Sequence, residues 1–164
     1  PGMLGSMVAG IGGLFAFYVA AYTGVLLAVT NRPIWSDTPL LGMLFVVSAA
    51  SISAALMILL ARKSGRTLPP GVSALHRLDS WVVALEFVVL IAVMISLGPV
   101  FRAWLNAWGL LLFFGVIVLG MLLPLALYWR RQWLGEFNVT AAAAAVLVGG
   151  FILRLVIVFS AQGV

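Results

Sequence analysis

The sequence contains no cysteine and only one histidine, His76. Without cysteine, the chain has no disulfide, no thiolate nucleophile and no iron–sulfur cluster of its own. A single histidine also excludes a haem held between two histidines of this chain, so a quinol site of the cytochrome-b type is excluded. Any electrons that the protein handles therefore come from a cofactor in a neighbouring subunit or from a bound ligand.

Charge is scarce as well: 8% of the 164 residues are charged and 65% are hydrophobic. The mean hydropathy is +1.25. Repeated runs of about 20 apolar residues are typical of a membrane protein with several spans. The formal charge of +5 comes mostly from short connections between those runs. It therefore indicates membrane topology and does not indicate binding to nucleic acid.

Five apolar runs are long enough to cross ~30 Å of hydrocarbon at ~1.5 Å per residue. Lipid cannot satisfy backbone groups, and the alternating pattern of a barrel is missing, so each span is predicted to be helical. The predicted fold is an all-α, polytopic transmembrane helix bundle, with residues 1–164 as a single transmembrane domain. The predicted spans are Leu4–Val29, Leu40–Ala61, Leu78–Leu97, Leu105–Tyr128 and Val139–Phe159.

Arginine and lysine are distributed unequally between the two sides of this bundle. The second and fourth connections carry six of them, whereas the first and third carry only Arg32 and Arg102. The positive-inside rule then predicts that the N-terminus of the chain is cytoplasmic and the C-terminus lies outside. The second connection, Arg62–His76, contains two consecutive prolines and is predicted to be extended and solvated. Tryptophans flank several spans, as interfacial anchors do.

Three ionisable side chains fall inside the predicted spans, where each costs about 3 kcal/mol and so indicates a partner or a function. Glu86 lies near the middle of the third span, Asp79 near its start, and Arg154 well inside the fifth span. Each also has a purely structural explanation. Arg154 is able to pair with a neighbouring helix, Glu86 to pack as a hydrogen-bonded acid, and Asp79 with His76 to stabilise a helix start.

Tyr22 places a hydroxyl in the first span at a depth close to that of Arg154. Counted from the cytoplasmic edge, both residues lie ~23–27 Å along their helices. A phenol and a guanidinium at one level are able to flank a polar headgroup such as a quinone ring. Glu86, ~10 Å deeper, is then a candidate for passing protons inward by way of Asp79 and His76. No catalytic residue and no metal ligand is predicted.

Several segments, in the same order and at similar spacing, resemble the membrane subunits of the polysulfide reductase family (the NrfD/PsrC type). The resemblance covers most of the chain, and no single segment carries it alone. The matching segments are Ala21–Leu27 (AYTGVLL), Asn31–Trp35 (NRPIW), Pro39–Phe45 (PLLGMLF), Leu78–Glu86 (LDSWVVALE) and Gly149–Gln162 (GGFILRLVIVFSAQ).

This resemblance implies a helical membrane anchor of a bacterial respiratory complex in the cytoplasmic (inner) membrane. Subunits of this family bind a quinone near the outer face, and Tyr22 fills the position of the family's quinone-site tyrosine. The implied cofactor is menaquinone or ubiquinone, shared with neighbouring helices. The implied partners are a ferredoxin-like iron–sulfur subunit docked near Trp35 and, beyond it, a molybdopterin or multihaem cytochrome subunit. The chain alone would not be a catalyst.

The resemblance begins at about the fourth helix of such proteins. Their earlier helices, which carry an asparagine and a histidine that also contact the headgroup, have no counterpart here. Because the sequence starts at Pro1, we expect the C-terminal portion of such a subunit or one half of a split subunit, with other membrane segments completing it.

Two alternative functions remain open at this point. The first is a structural or proton-conducting anchor without its own quinone site. The second is a small transporter with Glu86 and Arg154 along a substrate path.

Overall fold

The computed structural model describes residues 2–32, 34–63, 70–129 and 137–161, and these residues form a helical bundle. Five helices in the described residues are long and apolar enough to cross a membrane. The protein is therefore a multi-pass membrane protein, and the predicted all-α class is confirmed. The helices are α1 (Met3–Ala28), α2 (Leu41–Lys63), α3 (Pro70–Ser96), a 3₁₀ helix (Gly98–Trp104), α4 (Ala107–Trp129) and α5 (Phe137–Ser160).

The start of α3 differs from the sequence prediction, which made the whole of Arg62–His76 an extended connection. α2 continues to Lys63 and α3 already begins at Pro70. A proline in the first turn of a helix gives up no hydrogen bond, because that N–H has no intrahelical acceptor, and its fixed φ suits the helix. Here Pro70 therefore starts a helix. The predicted proton-path residue His76 falls in this helix, but its side chain lies outside the described part of the chain.

α2 lies at the centre of the bundle and contacts α1, α3 and α5. The contact with α1 depends on glycine, because a Cβ atom on Gly24 would collide with the backbone of Gly42. α4 packs on α5 in the same way, since a Cβ on Gly120 would lie 2.7 Å from the Cα of Gly149. Close backbone contact through small residues is the usual way to gain packing between helices in lipid, where apolar side chains already have apolar surroundings.

The middle of α4, Leu112–Leu122, is π-helical, between α-helical ends Ala107–Leu111 and Leu123–Trp129. Pro124 lies two residues after the end of this segment. Proline has no N–H to donate and its ring crowds the carbonyl four residues earlier, so a wider hydrogen-bonding register before it relieves that crowding. The register change also orients Gly115 and Gly120 toward α5, where they meet Ile152 and Gly149.

Two tryptophans bind the end of α5 at the side of the bundle where α1 and α5 finish, called here the tryptophan end. The indole N–H of Trp35 donates to the carbonyl of Ile157 at 2.8 Å, and that of Trp104 donates to the Ser160 hydroxyl at 3.0 Å. The last carbonyls of a helix lack intrahelical donors, so Trp35 satisfies one of them. Trp104 is buried. These two indoles therefore hold the connections onto α5.

The Trp35 connection is held in a strained conformation. Ile34 has a φ of 75° and is buried. A β-branched residue in this region of φ is a conformational outlier that persists only when its surroundings hold it. The Asp37 carboxylate accepts the Ile34 N–H at 2.9 Å, which fixes the turn. The connection at the tryptophan end therefore has a fixed backbone conformation.

The glycine contact between α4 and α5 leads to a stability prediction. Gly149→Ala should lower the free energy of unfolding by about 1–3 kcal/mol, because the added methyl group forces two backbones apart. Thermal unfolding of the purified protein in detergent measures this change. Gly13→Ala on α1 is the matched control, since a Cβ there meets nothing within 4 Å. Equal stability of the two variants would show that α4 and α5 do not approach as closely as described.

Candidate functional site

Four polar side chains face one another between α2 and α3, inside the part of the bundle that lies in the membrane. Ser48 and Ser51 are three residues apart on α2, and Asp79 and Glu86 are seven apart on α3, so each pair lies on one helix face. All four are buried. Ser48 lies beside the Glu86 carboxyl group, and Ser51 lies beside both carboxyl groups. We call these residues, with Tyr128 and Arg154, the buried polar cluster.

Tyr128 closes the cluster at the end opposite to the tryptophan end. Its hydroxyl donates to Asp79 Oδ2 at 2.6 Å. Tyr128 is the penultimate residue of α4, and Asp79 lies in the early part of the membrane-crossing segment of α3, so the bond links these helices near one surface. A short hydrogen bond of this kind to a carboxyl oxygen fixes the orientation of that side chain.

Arg154 closes the cluster toward the tryptophan end. One of its guanidinium nitrogens donates to the Ser48 hydroxyl at 3.3 Å and to the Gly150 carbonyl at 3.1 Å. The guanidinium carbon lies 5.7 Å from the centre of the Phe45 ring. Arg154 also interacts electrostatically with Glu86. The arginine is therefore held by α2, by its own helix and by a carboxyl group of α3.

Arg154 also borders an open groove between α2 and α5. The groove has a volume of about 430 Å³. It is lined by Ala49, Ile52, Ser53, Leu147, Phe151 and Arg154. The guanidinium is thus the boundary between the buried polar cluster and the lateral surface of the bundle, where lipid or another helix would lie.

Tyr22 lies elsewhere, on the outward face of α1. The face of α1 toward α2 is marked by Gly24, the buried residue of this helix. Tyr22 precedes Gly24 by two positions, so at ~100° per residue it points ~160° away from that contact. It is 52% exposed. Its one recorded interaction with described residues is ring stacking on Tyr18, with centroids 6.1 Å apart. The hydroxyl has no hydrogen-bond partner among the described residues.

The structure brings together some of the residues predicted from the sequence and separates others. Asp79, Glu86 and Arg154 join in one cluster. Tyr22 and Arg154 lie at the same level, each six residues before the end of its helix, yet they face different directions and make no contact. Their shared contact with a headgroup stays a prediction. The structural explanation considered for Arg154, pairing with neighbouring helices, describes its contacts.

Sequence analysis missed three members of the cluster: Ser48, Ser51 and Tyr128. The serines stand in a run of small residues, SAASISAA, that is typical of helix packing. Tyr128 stands beside Trp129 at a span end, where aromatic residues usually contact the lipid interface. The signal available in the sequence was periodicity. The two serines, three residues apart, lie on one face of their helix, and the two carboxyl groups, seven residues apart, lie on one face of the next.

The chemistry that this cluster supports is hydrogen bonding and proton exchange. It contains two carboxyl groups, three hydroxyl groups and one guanidinium. Among the described residues, no three histidine, aspartate or glutamate side chains come together in a way that could hold a metal ion.

The fold and the site define a class: a helical multi-pass membrane protein with an internal ionisable cluster. Comparison with known proteins then identifies the family. The polysulfide reductase family, NrfD_2, matches residues 2–164, and the chain belongs to this family.

One curated relative is Protein NrfD of Escherichia coli (strain K12). It is 32% identical to this chain over 162 residues, an alignment that covers 91% of the chain and 51% of the relative. The chain thus spans about half the length of the curated relative that it matches. No solved structure gives a significant match to the chain.

The bond between Tyr128 and Asp79 can be tested by removing the phenol oxygen. Tyr128→Phe leaves a buried carboxyl oxygen without its donor and should lower the free energy of unfolding by about 1–3 kcal/mol. Tyr18→Phe is the control, because Tyr18 is exposed and the substitution keeps its ring. Thermal unfolding in detergent measures both variants. A Tyr128→Phe protein as stable as the control would mean that the hydroxyl does not bind Asp79.

Proposed function

We propose that this chain is part of the quinone-interacting membrane subunit of a bacterial respiratory oxidoreductase. Family membership supports the general class. The observation that carries the proposal is the Tyr22 hydroxyl, which lies inside the membrane on an outward face with no partner among the described residues. A hydroxyl in hydrocarbon without an acceptor is costly, so an acceptor from outside this chain would stabilise it, and Tyr22 is one turn nearer than Tyr18 to the end of α1 where a headgroup is expected.

A quinone headgroup is an acceptor that fits this position. Tyr22 lies six residues before the end of α1, which places it ~9 Å below that end of the helix. A phenol at this depth is able to donate to a carbonyl oxygen of a ring whose apolar tail stays among acyl chains. When bound, the quinone supplies the two-electron chemistry. The role of Tyr22 is to hold and orient one carbonyl oxygen.

The rest of the headgroup site would come from helices outside this chain. Tyr22 points away from α2, so residues of the other four helices do not enclose it. This proposal agrees with a chain that spans about half the length of its curated relative. In this proposal, α1 is the boundary helix. One of its faces packs on α2, and the opposite face points toward the quinone and the completing membrane segments.

The tryptophan end is the proposed docking side for the electron-transfer partner. We place this end at the outer side of the bacterial cytoplasmic membrane, because the connections at the other end carry six of the eight loop arginines and lysines. The surface around Trp35 and the strained Ile34 turn would receive an iron–sulfur subunit of ferredoxin type. A molybdopterin or multihaem cytochrome subunit would complete the electron path.

The buried polar cluster is the proposed route for protons. Glu86, Asp79 and Tyr128 form a polar line from the interior of the bundle to the cytoplasmic side, and His76 remains a candidate for its entrance. We assign Arg154 to this cluster, where it balances carboxylate charge, and not to the headgroup contact of Tyr22.

A second candidate function is a proton-conducting or structural anchor without a quinone. The observation that favours it is that the polar cluster is assembled within this chain, whereas the surroundings of Tyr22 are not. A quinone site needs the Tyr22 hydroxyl as a hydrogen-bond donor, whereas an anchor without a quinone does not.

Tyr22→Phe in the intact complex distinguishes these candidates. The substitution keeps the ring and removes the donor, so quinol-linked turnover should fall about 5- to 10-fold, the effect of losing a hydrogen bond of ~1 kcal/mol or slightly more. The amount of assembled complex should not change. Tyr18→Phe, one turn away on the same face, is the matched control. Turnover and quinone-analogue binding equal to those of the control would contradict the quinone role of Tyr22.

Glu86→Gln tests the proton route separately. The amide keeps the volume of the side chain but cannot exchange a proton, so proton uptake coupled to turnover in liposomes should fall at least about tenfold, as for a lost general acid–base group. Asp37→Asn is the control, because Asp37 lies in the turn after Pro33 and its amide still accepts the Ile34 N–H. Unchanged proton uptake in Glu86→Gln would assign this carboxyl group to packing.

A further inference from the structure

The charges in the buried polar cluster do not balance if both carboxyl groups are ionised. Asp79 and Glu86 would carry two negative charges, and the described cluster contains one cation, Arg154. Arg77, two positions before Asp79, is exposed, and the His76 side chain lies outside the described part. The groups that face the two carboxyl groups from the other helices are Ser48 and Ser51 of α2, Tyr128 of α4 and Arg154 of α5.

An uncompensated charge is strongly disfavoured in hydrocarbon, where no water is available to solvate it. One proton on the pair of carboxyl groups brings the described cluster to neutrality, with one carboxylate opposite one guanidinium. Two protons would leave Arg154 without a counter-charge. Charge balance therefore favours a single proton on the pair.

Two polar atoms beside the carboxyl groups lack a hydrogen-bond partner. Ser51 Oγ and Asp79 Oδ1 are fully buried and have no hydrogen-bond partner among the described residues. Buried polar atoms are nearly always hydrogen-bonded, so two such atoms at one place require an explanation. Ser51 lies beside both carboxyl groups. Tyr128 occupies only Oδ2 of Asp79, and Oδ1 remains free for the serine.

We propose that Asp79 and Glu86 share one exchangeable proton through the Ser51 hydroxyl. The transfer is balanced: protonated Asp79 gives its proton to Ser51 Oγ, while the serine hydroxyl gives its own proton to the Glu86 carboxylate. One O–H bond breaks and one forms at Ser51, and the net charge of the cluster does not change. This inference deepens the proton route proposed above and rests on it for its physiological role, but it does not depend on a quinone.

Infrared spectroscopy of the purified protein tests the sharing directly, since protonated and ionised carboxyl groups have different carbonyl bands. With ¹³C label in the aspartate carboxyl groups, part of the protonated-acid band should shift, and with label in glutamate the other part should shift. Asp79→Asn and Glu86→Gln should each abolish the band, because the carboxyl group that remains ionises opposite Arg154. The proposal would be overturned by a band that shifts completely with one label, by a band with the intensity of two protonated acids, or by the absence of a band.

Ser51→Ala tests the hydroxyl as the relay. Exchange of the acid proton with D₂O, followed in the same band, should slow at least about tenfold, an increase of ~1.4 kcal/mol in the barrier. Ser53→Ala is the matched control, since Ser53 lies on the same helix, is exposed and bonds the Ala49 carbonyl of its own helix at 2.7 Å. Equal exchange rates in the two variants would exclude Ser51. Because neither readout uses quinol turnover, loss of the quinone assignment leaves this test intact.

Discussion

Hydrocarbon offers no hydrogen bonds, and the arrangement of this protein follows from that constraint. Helices satisfy their own backbone groups, but the side chains of Asp79, Glu86 and Arg154 need partners within the bundle. Asp79 receives the Tyr128 hydroxyl of α4. Glu86 and Arg154 meet the serines of α2, which are small enough to let α3 and α5 approach. Ser48 and Ser51, which stand in a run of small residues typical of helix packing, therefore also supply hydroxyl groups to the cluster.

The same helix separates two features that the sequence analysis had placed together. Its glycine face holds α1, which carries Tyr22 outward, and its serine face holds the ionisable cluster. The proposed quinone contact and the proposed proton route therefore lie on opposite sides of α2. Within this chain, a coupling between them would pass through the packing of α1 on α2.

Much of the fold could be predicted from the sequence because hydrophobic runs report directly on membrane spans. All five spans and the depths of Glu86, Asp79 and Arg154 came from counting residues along helices. The start of α3 could not be placed, because a proline pair favours either a loop or a first helical turn. The π-helical segment of α4 had no visible signal other than Pro124 and the nearby glycines.

Depth alone could not determine which side chains meet. Tyr22 and Arg154 share a level, but contact also depends on the rotation of each helix, and rotation is set by the packing of α1 on α2 through Gly24. Tyr128 and Ser51 were overlooked for a related reason. Each has an ordinary role at its position in a single span, and only the neighbouring helix reveals the carboxyl group opposite.

The attachment of α1 through Gly24 has a consequence for biosynthesis. Only 6% of its most apolar stretch is buried in the described structure, so nearly all of that surface is left uncovered by the other described helices. α1 leaves the ribosome before α2, so it enters the bilayer without the helix that it contacts through Gly24. Until α2 packs against it, α1 is therefore the least protected helix of the described bundle and the natural place for a membrane protease to recognise a copy that has not folded.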